Sequence, residues 1–299
     1  RTGNVDIAFL TLFFIKMEGE KTARLLKPIN VNSPRLTNYQ FLDSNLTHIP
    51  MGLLNKEPLY IPWGGGIYGF YLNTKDKAPN ETPTSLKELW DDTWHNKYSL
   101  NKGQFWYNVG IALQSIDKHP FYINQLSEKG ERKELAELTS PKGNLQAQLN
   151  KLYKNAGELW SASPTFEDGL EIVSSWGPEI SVQNKSTKAW QLIDYSENKL
   201  AWLDTINFVK GLKGKKLEAA EIVANYFIGK QVQNRIATSL SMIPASTLAQ
   251  HDSILKISPN IFKTGHFVPP YNDLAHAIMK RMVNLAESQK SQSEMVSSN

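Results

Sequence analysis

Apolar positions along the chain switch between two rhythms. Val5–Leu10 is an almost continuous apolar run, the pattern of a buried strand. Thr11-Leu12-Phe13-Phe14 follows at its end, where a parallel sheet places ligand groups. Leu59-Tyr60-Ile61-Pro62 leads into Trp63-Gly64-Gly65-Gly66, and Ile67–Leu72 then alternates like a strand. Three successive glycines allow close backbone approach or unusual dihedrals. Lys75–Pro83 is polar, holds two prolines and reads as a loop or lobe crossover. Ser85-Leu86-Lys87-Glu88 is a capping box opening a short helix through Trp90. Helical spacing recurs over Gly103–Ile116, with Trp106 and Tyr107 near its start, and over 131–138, 144–160, 217–228, 231–240 and 273–287. Glu167, Asp168 and Glu171 surround an expected helix start, and Gly229 is the expected helix stop. Ile172–Trp176 and Leu200–Asp204 read as strands, and the polar stretch 288–299 as a frayed end. Buried strands alternating with helices predict an α/β fold.

Two of these strands carry candidate chemistry. In an extended segment, positions i and i+2 share a face, so Trp202 and Asp204 project together. A ring face beside an ionised carboxylate is a receptor for a cation. The competing reading is a buried tryptophan next to a solvated aspartate at a strand end. Ser174-Ser175-Trp176 ends in a similar aromatic ring.

Composition narrows the function. The 299 residues suit two lobes of ordinary size. Eight Trp, 11 Tyr and 12 Phe are enough to line a ligand cleft as well as a core. Without cysteine there is no disulfide and no thiolate chemistry, which fits an exported or a cytosolic protein equally. The net charge of +4 comes without an aromatic-interleaved basic stripe, arguing against nucleic acid. The six His are scattered without metal-ligand spacing, and no P-loop, G-x-S-x-G, HExxH or EF-hand sequence is present. An aromatic-rich chain lacking these motifs points to a binding protein rather than an enzyme, with no cofactor and no metal.

At Asp6–Phe14, Ile61–Gly66, Thr84–Trp90, Ile172–Glu179, Trp202–Asp204 and Leu217–Pro244 the chain resembles the bacterial periplasmic spermidine/putrescine-binding proteins, the solute-binding components of ABC importers. The resemblance runs in order over about residues 1–250. It implies a two-lobed type II periplasmic-binding fold with a ligand cleft between the lobes, and a monomer. Residues 1–72 and 200–248 would form lobe 1, 73–199 lobe 2, and 249–299 a helical segment packing on lobe 2. It also implies that the family's first strand, helix and second strand lie outside this sequence.

Carried over by position, Asp204 holds an amino group while Trp202 and Trp176 stack on an alkylamine, with Trp63 or Trp106 as further stacking rings. Thr11 and Phe13 fall where the family has a hydroxyl and a tyrosine. Gln104 and Tyr107 stand where the family has acids, and Ser241 where it has a cleft tyrosine. These departures remove negative charge that a polycation would call for and leave room for a shorter or singly charged amine. The implied role is capture of a small amine, such as a polyamine, in a Gram-negative-type periplasm for an importer permease. A ligand-binding sensor signalling to a membrane partner is the alternative.

Overall fold

The computed structural model describes residues 5–17, 21–75, 82–187, 189–250, 255, 257–264 and 266–297. The chain forms two compact units, 1–67 with 199–270 and 68–198 with 271–299. Most of the expected Lys75–Pro83 crossover lies outside the described residues.

Unit 1 is built around the strand Leu200–Val209. Ile7–Thr11 pairs with it antiparallel, setting Thr11 opposite Asp204 and Phe9 opposite Ile206. Leu26–Lys27 pairs with its far end antiparallel, and His266–Phe267 with its start in parallel. The long strand Ile61–Asn73 lies next to it in the sheet, and Ile243–Pro244 pairs with Gly64-Gly65. The expected buried parallel strand at Val5–Leu10 is therefore corrected. Ile7–Thr11 is antiparallel and an edge among the described residues, and Phe9 is 49% exposed. Thr11 leads directly into a 3-10 turn, Leu12–Ile15, so no crossover helix returns the chain in parallel.

Of the two roles open to the glycine run, close approach is the one found. A Cβ on Gly65 would fall inside contact distance of the Trp202 carbonyl oxygen, and one on Gly66 would sit 3.2 Å from the Trp202 ring. Helix Gly214–Phe227 covers the sheet through Ala220 and Ala224. On the same helix the buried Glu221 carboxylate accepts from Arg35 Nε at 2.7 Å and Ser33 Oγ at 2.9 Å, holding the turn-rich 30–40 segment. Arg35→Ala leaves that carboxylate with the Ser33 hydroxyl alone. The expected loss is about 2 kcal/mol, read from the urea midpoint; an unchanged midpoint would show the pair to be energetically idle. Gly229 does not end its helix in the left-handed region. Its φ is −75° and it starts helix Lys230–Leu240 instead.

Unit 2 carries most of the helices. The end of the long strand pairs antiparallel with Ile172–Ser175 and Trp190–Leu192. Ser85 and Glu88 form the expected capping box, and the short helix it opens, Leu86–Trp90, is 3-10. The helix read from Gly103 starts at Trp106 and runs to Ser115. The one read over 144–160 stops at Asn155, and Glu158–Trp160 is a strand parallel to Ser99–Asn101. Gly157 marks the break: a Cβ there would collide with the Asn96 carbonyl. The acids at 167–171 open no helix and lie in a turn with Gly169 at φ 98°.

The expected assignment of 249–299 to one lobe does not match this division. Residues 249–270 go with unit 1, because His266–Phe267 extends its sheet. Helix Asp273–Ser297 belongs to unit 2 and continues well past the expected fraying point. Arg281 Nη2 donates to the Thr139 carbonyl at 2.8 Å and Lys290 Nζ to the Ala156 carbonyl at 2.7 Å. Each cation thereby closes the C-terminus of a helix, Arg132–Leu138 and Asn144–Asn155 respectively, where the helix dipole favours positive charge. Lys290→Ala is expected to cost about 1 kcal/mol, visible as a lower melting temperature; Lys290→Arg should retain most of it.

Candidate functional site

In unit 1 the site grows from one cross-strand pair. Thr11 and Asp204 are register partners on antiparallel strands, so their side chains leave the same face. Thr11 Oγ1 donates to Asp204 Oδ1 at 2.7 Å. No cationic side chain among the described residues pairs with this carboxylate. Burial raises the Asp204 pKa above its usual value, and the Thr11 hydrogen bond opposes the rise.

Two residues before Asp204, Trp202 is 6% exposed, its ring lying against Gly66. Its indole N–H is buried without a hydrogen-bond partner among the described residues. The glycine matters here: any larger residue at 66 would displace the ring that shares Asp204's face. The carboxylate and the ring form a partly desolvated anionic corner whose charge has no counter-ion among the described residues.

The other unit 1 candidates surround different positions. Phe13 is buried and packs on Phe14, with ring centroids 4.3 Å apart. Trp63 meets Phe9 and Phe227 edge-on, both at 6.2 Å, an aromatic cluster at helix Gly214–Phe227. Ser241 is buried in the left-handed region at φ 51°, closing helix Lys230–Leu240 and turning the chain into Ile243–Pro244.

Unit 2 gathers a second aromatic set. Tyr107, on the first turn of its helix, stacks on Tyr68 at 4.1 Å. Tyr68 lies 6.1 Å from Trp176, and Trp176 meets Trp160 edge-on at 5.0 Å. Trp160 Nε1 donates to Ser174 Oγ at 3.0 Å, fixing that ring's orientation. Trp176 is half-buried just before Gly177, whose φ of 110° any side chain would strain. Ser175 Oγ accepts from Gly177 N at 2.9 Å and donates to Glu179 at 2.8 Å, which holds this turn.

Gln104 precedes the same helix as Tyr107. Its backbone N–H donates to Asn101 Oδ1 at 3.0 Å, and the Gln104 carbonyl accepts from Tyr107 N. Trp106 packs on Phe105, Tyr271 and His276, and meets the Trp176 set through Tyr107 at 6.3 Å. Sequence reasoning missed Tyr68, Trp160 and Asn101. Tyr68 had a signal, since the Ile67–Leu72 alternation puts it on a face with Phe70, 6.5 Å away. Among the described residues no group of three His, Cys, Asp or Glu is placed to hold a metal. No described helix is long and apolar enough to cross a membrane.

This fold has many solved relatives. The chain is similar to the spermidine/putrescine ABC-transporter substrate-binding protein PotD of Streptococcus pneumoniae (TM-score 0.73, 16% identity, 97% of this chain and 85% of that one). It is also similar to the TpPotD lipoprotein of Treponema pallidum (0.70, 14%, 94% and 83%). The GacH receptor of Streptomyces glaucescens, solved unliganded and with acarbose, matches at TM-score 0.62 (14%, 98% and 83%). At these identities the matches establish the α/β, two-lobed periplasmic-binding fold. Among curated proteins none matches the chain in sequence. A family profile of bacterial extracellular solute-binding proteins covers residues 17–260, including the Trp202–Asp204 strand and Ser241. With the fold and this profile in agreement, the chain belongs to the bacterial extracellular solute-binding proteins.

Proposed function

We propose that the chain captures a small organic amine outside the cytoplasm and delivers it to the permease of an ABC importer. The observation that carries this reading is the Asp204 carboxylate, buried beside Trp202 and answered, among the described residues, by the Thr11 hydroxyl alone. An ammonium ion supplies the missing counter-charge, and the alkyl chain next to it can lie on the indole. Thr11 fixes one carboxylate oxygen and leaves the other for the ligand. Spermidine or putrescine, named for the pneumococcal PotD, are the first candidates. The chain acts by binding, without turnover. A location in the periplasm, and action as a monomer, complete the proposal.

A thermal-shift panel tests the ligand class. Amines should raise the melting temperature, while sugars, phosphate and carboxylates should not. At about 100 times its dissociation constant, the ligand adds roughly 2.7 kcal/mol of stability. Because one structural relative was solved with acarbose, oligosaccharides belong in the panel. Stabilisation by a sugar and not by amines would make Trp202 a sugar platform and end the amine reading.

Binding should also depend on pH in a defined direction. The Asp204 pKa is raised in the folded, ligand-free protein, so the ionised form disfavours folding. The associated stability is present below the ordinary aspartate pKa and is lost as pH rises through the raised value. An ammonium ligand requires the ionised carboxylate. Affinity should therefore fall as pH drops through the raised pKa, approaching about tenfold per pH unit for one linked proton. Titration calorimetry across the acid range measures this slope. Asp204→Asn should flatten it; a slope that survives in that variant would assign the proton to another group.

A further inference from the structure

A cluster of cations at one end of unit 1 takes no part in the Asp204 site. The backbone brings two segments together there. Val209 pairs with Leu26, and Lys210 N donates to the Leu25 carbonyl at 2.7 Å. Arg24, Lys210, Lys213, Lys215 and Lys216 are all exposed, and so is Leu25 at 59%. Gly211 and Gly214, at φ 94° and 56°, let the chain turn tightly into helix Gly214–Phe227. Among the described residues, the acids against the five cations are Asp6, paired with Lys216 at 3.2 Å, and Glu218 further along the helix.

The placement of these charges works against stability. Lys213 is the helix N-cap and makes no side-chain cap, while Lys215 and Lys216 fill the first turn, which has no acid. The positive end of the helix dipole repels cations at these positions. Charges kept where folding disfavours them call for an external partner. The cations are four lysines and one arginine. Lysine is a mobile, hydrated point charge suited to a diffuse anionic surface rather than to bidentate recognition. Leu25, exposed among them, is the apolar group that a lipid interface can take up.

We propose that this end of unit 1 docks on an anionic membrane surface, with the lysines over lipid phosphates and Leu25 at the headgroup boundary. The proposal stands on the family's extracellular setting and is independent of the ligand class. Co-sedimentation with vesicles tests it, comparing phosphatidylglycerol mixed into phosphatidylcholine with phosphatidylcholine alone. The parent chain should sediment with the anionic vesicles only, and release at high salt. The triple variant K210Q/K213Q/K215Q should partition roughly a hundredfold more weakly, at about fivefold per charge. It should melt no lower than the parent, since it removes cations from a helix N-terminus, so lost binding is not lost fold. Leu25→Ser should weaken vesicle binding severalfold and leave binding to heparin, a soluble polyanion, unchanged. Absence of parent binding to anionic vesicles, or a triple variant that binds equally, would overturn the proposal. So would vesicle binding indifferent to Leu25→Ser and fully displaced by heparin, which would assign the surface to a soluble polyanion.

Discussion

Asp204→Ala is expected to weaken amine binding by several hundred-fold or more, about 3–5 kcal/mol, because it leaves a desolvated ammonium without its counter-charge. Asp204→Asn keeps the volume and the oxygen that accepts from Thr11 Oγ1, yet should lose most of the same energy. The same two variants should act in the opposite direction on the ligand-free protein. Burial raises the Asp204 pKa, so at neutral pH the folded chain carries an ionised carboxylate in a site that disfavours it. Neutral asparagine removes that penalty, and the ligand-free melting temperature at pH 7 should rise. Trp202→Ala should cost binding less, on the order of 0.5–2 kcal/mol of cation–π attraction plus packing. Calorimetry and melting curves on the three variants check both halves. If Asp204→Asn binds as tightly as the parent while Trp202→Ala does not, the ligand is neutral or aromatic.

Gly65→Ala should strongly destabilise unit 1. Its Cβ would press into the Trp202 carbonyl oxygen and sit 3.0 Å from Phe262 Cζ. The first neighbour is backbone of the central strand and cannot rotate away. We expect a loss of about 3 kcal/mol, at the upper end of overpacking costs. Any accommodation must move Leu200–Val209, and with it both Trp202 and Asp204, so ligand response should fall together with stability. Gly64→Ala is the control: its nearest neighbour is Met242 Cε at 3.0 Å, the end of a flexible side chain, and the cost should stay below about 1 kcal/mol. Equal urea midpoints for the two variants would contradict the backbone clash.

The parts of this arrangement that depend on short-range periodicity were legible in the chain. Trp202 and Asp204 share a face because strand side chains alternate, whichever strand lies alongside. The glycine run left open a close backbone neighbour or unusual dihedrals, and nothing in it names Trp202 as the neighbour. Partner choice was the harder matter. Val5–Leu10 looks like a parallel core strand, but a continuous apolar run fits equally an edge strand whose Phe9 leans on Phe227, 5.2 Å away. The Tyr68–Tyr107 stack joins a strand to a helix 39 positions on, and no local spacing encodes it. Glu158–Trp160 was absorbed into the preceding helix because its apolar residues continue a plausible helical phase. The Gly157–Asn96 approach, which is tertiary, marks where that helix ends. The polar tail helix persists past 288 for a similar reason, since Lys290 is anchored on a carbonyl 134 residues earlier.

That last anchor bears on the order in which the protein can be completed. The chain leaves unit 2 after Asn198, spends residues 199–270 in unit 1, and returns only with helix Asp273–Ser297. The Arg132–Leu138 and Asn144–Asn155 helices therefore wait for Arg281 and Lys290 before their last carbonyls are satisfied. At about 5–20 residues per second, a ribosome needs roughly 5–20 s to travel from the end of the first passage through unit 2 to Lys290. Throughout that interval unit 2 lacks its closing helix, while unit 1 receives its second segment, residues 199–270. The larger, helical unit is therefore the later of the two to close, because the segment that interrupts it must be made before its last helix.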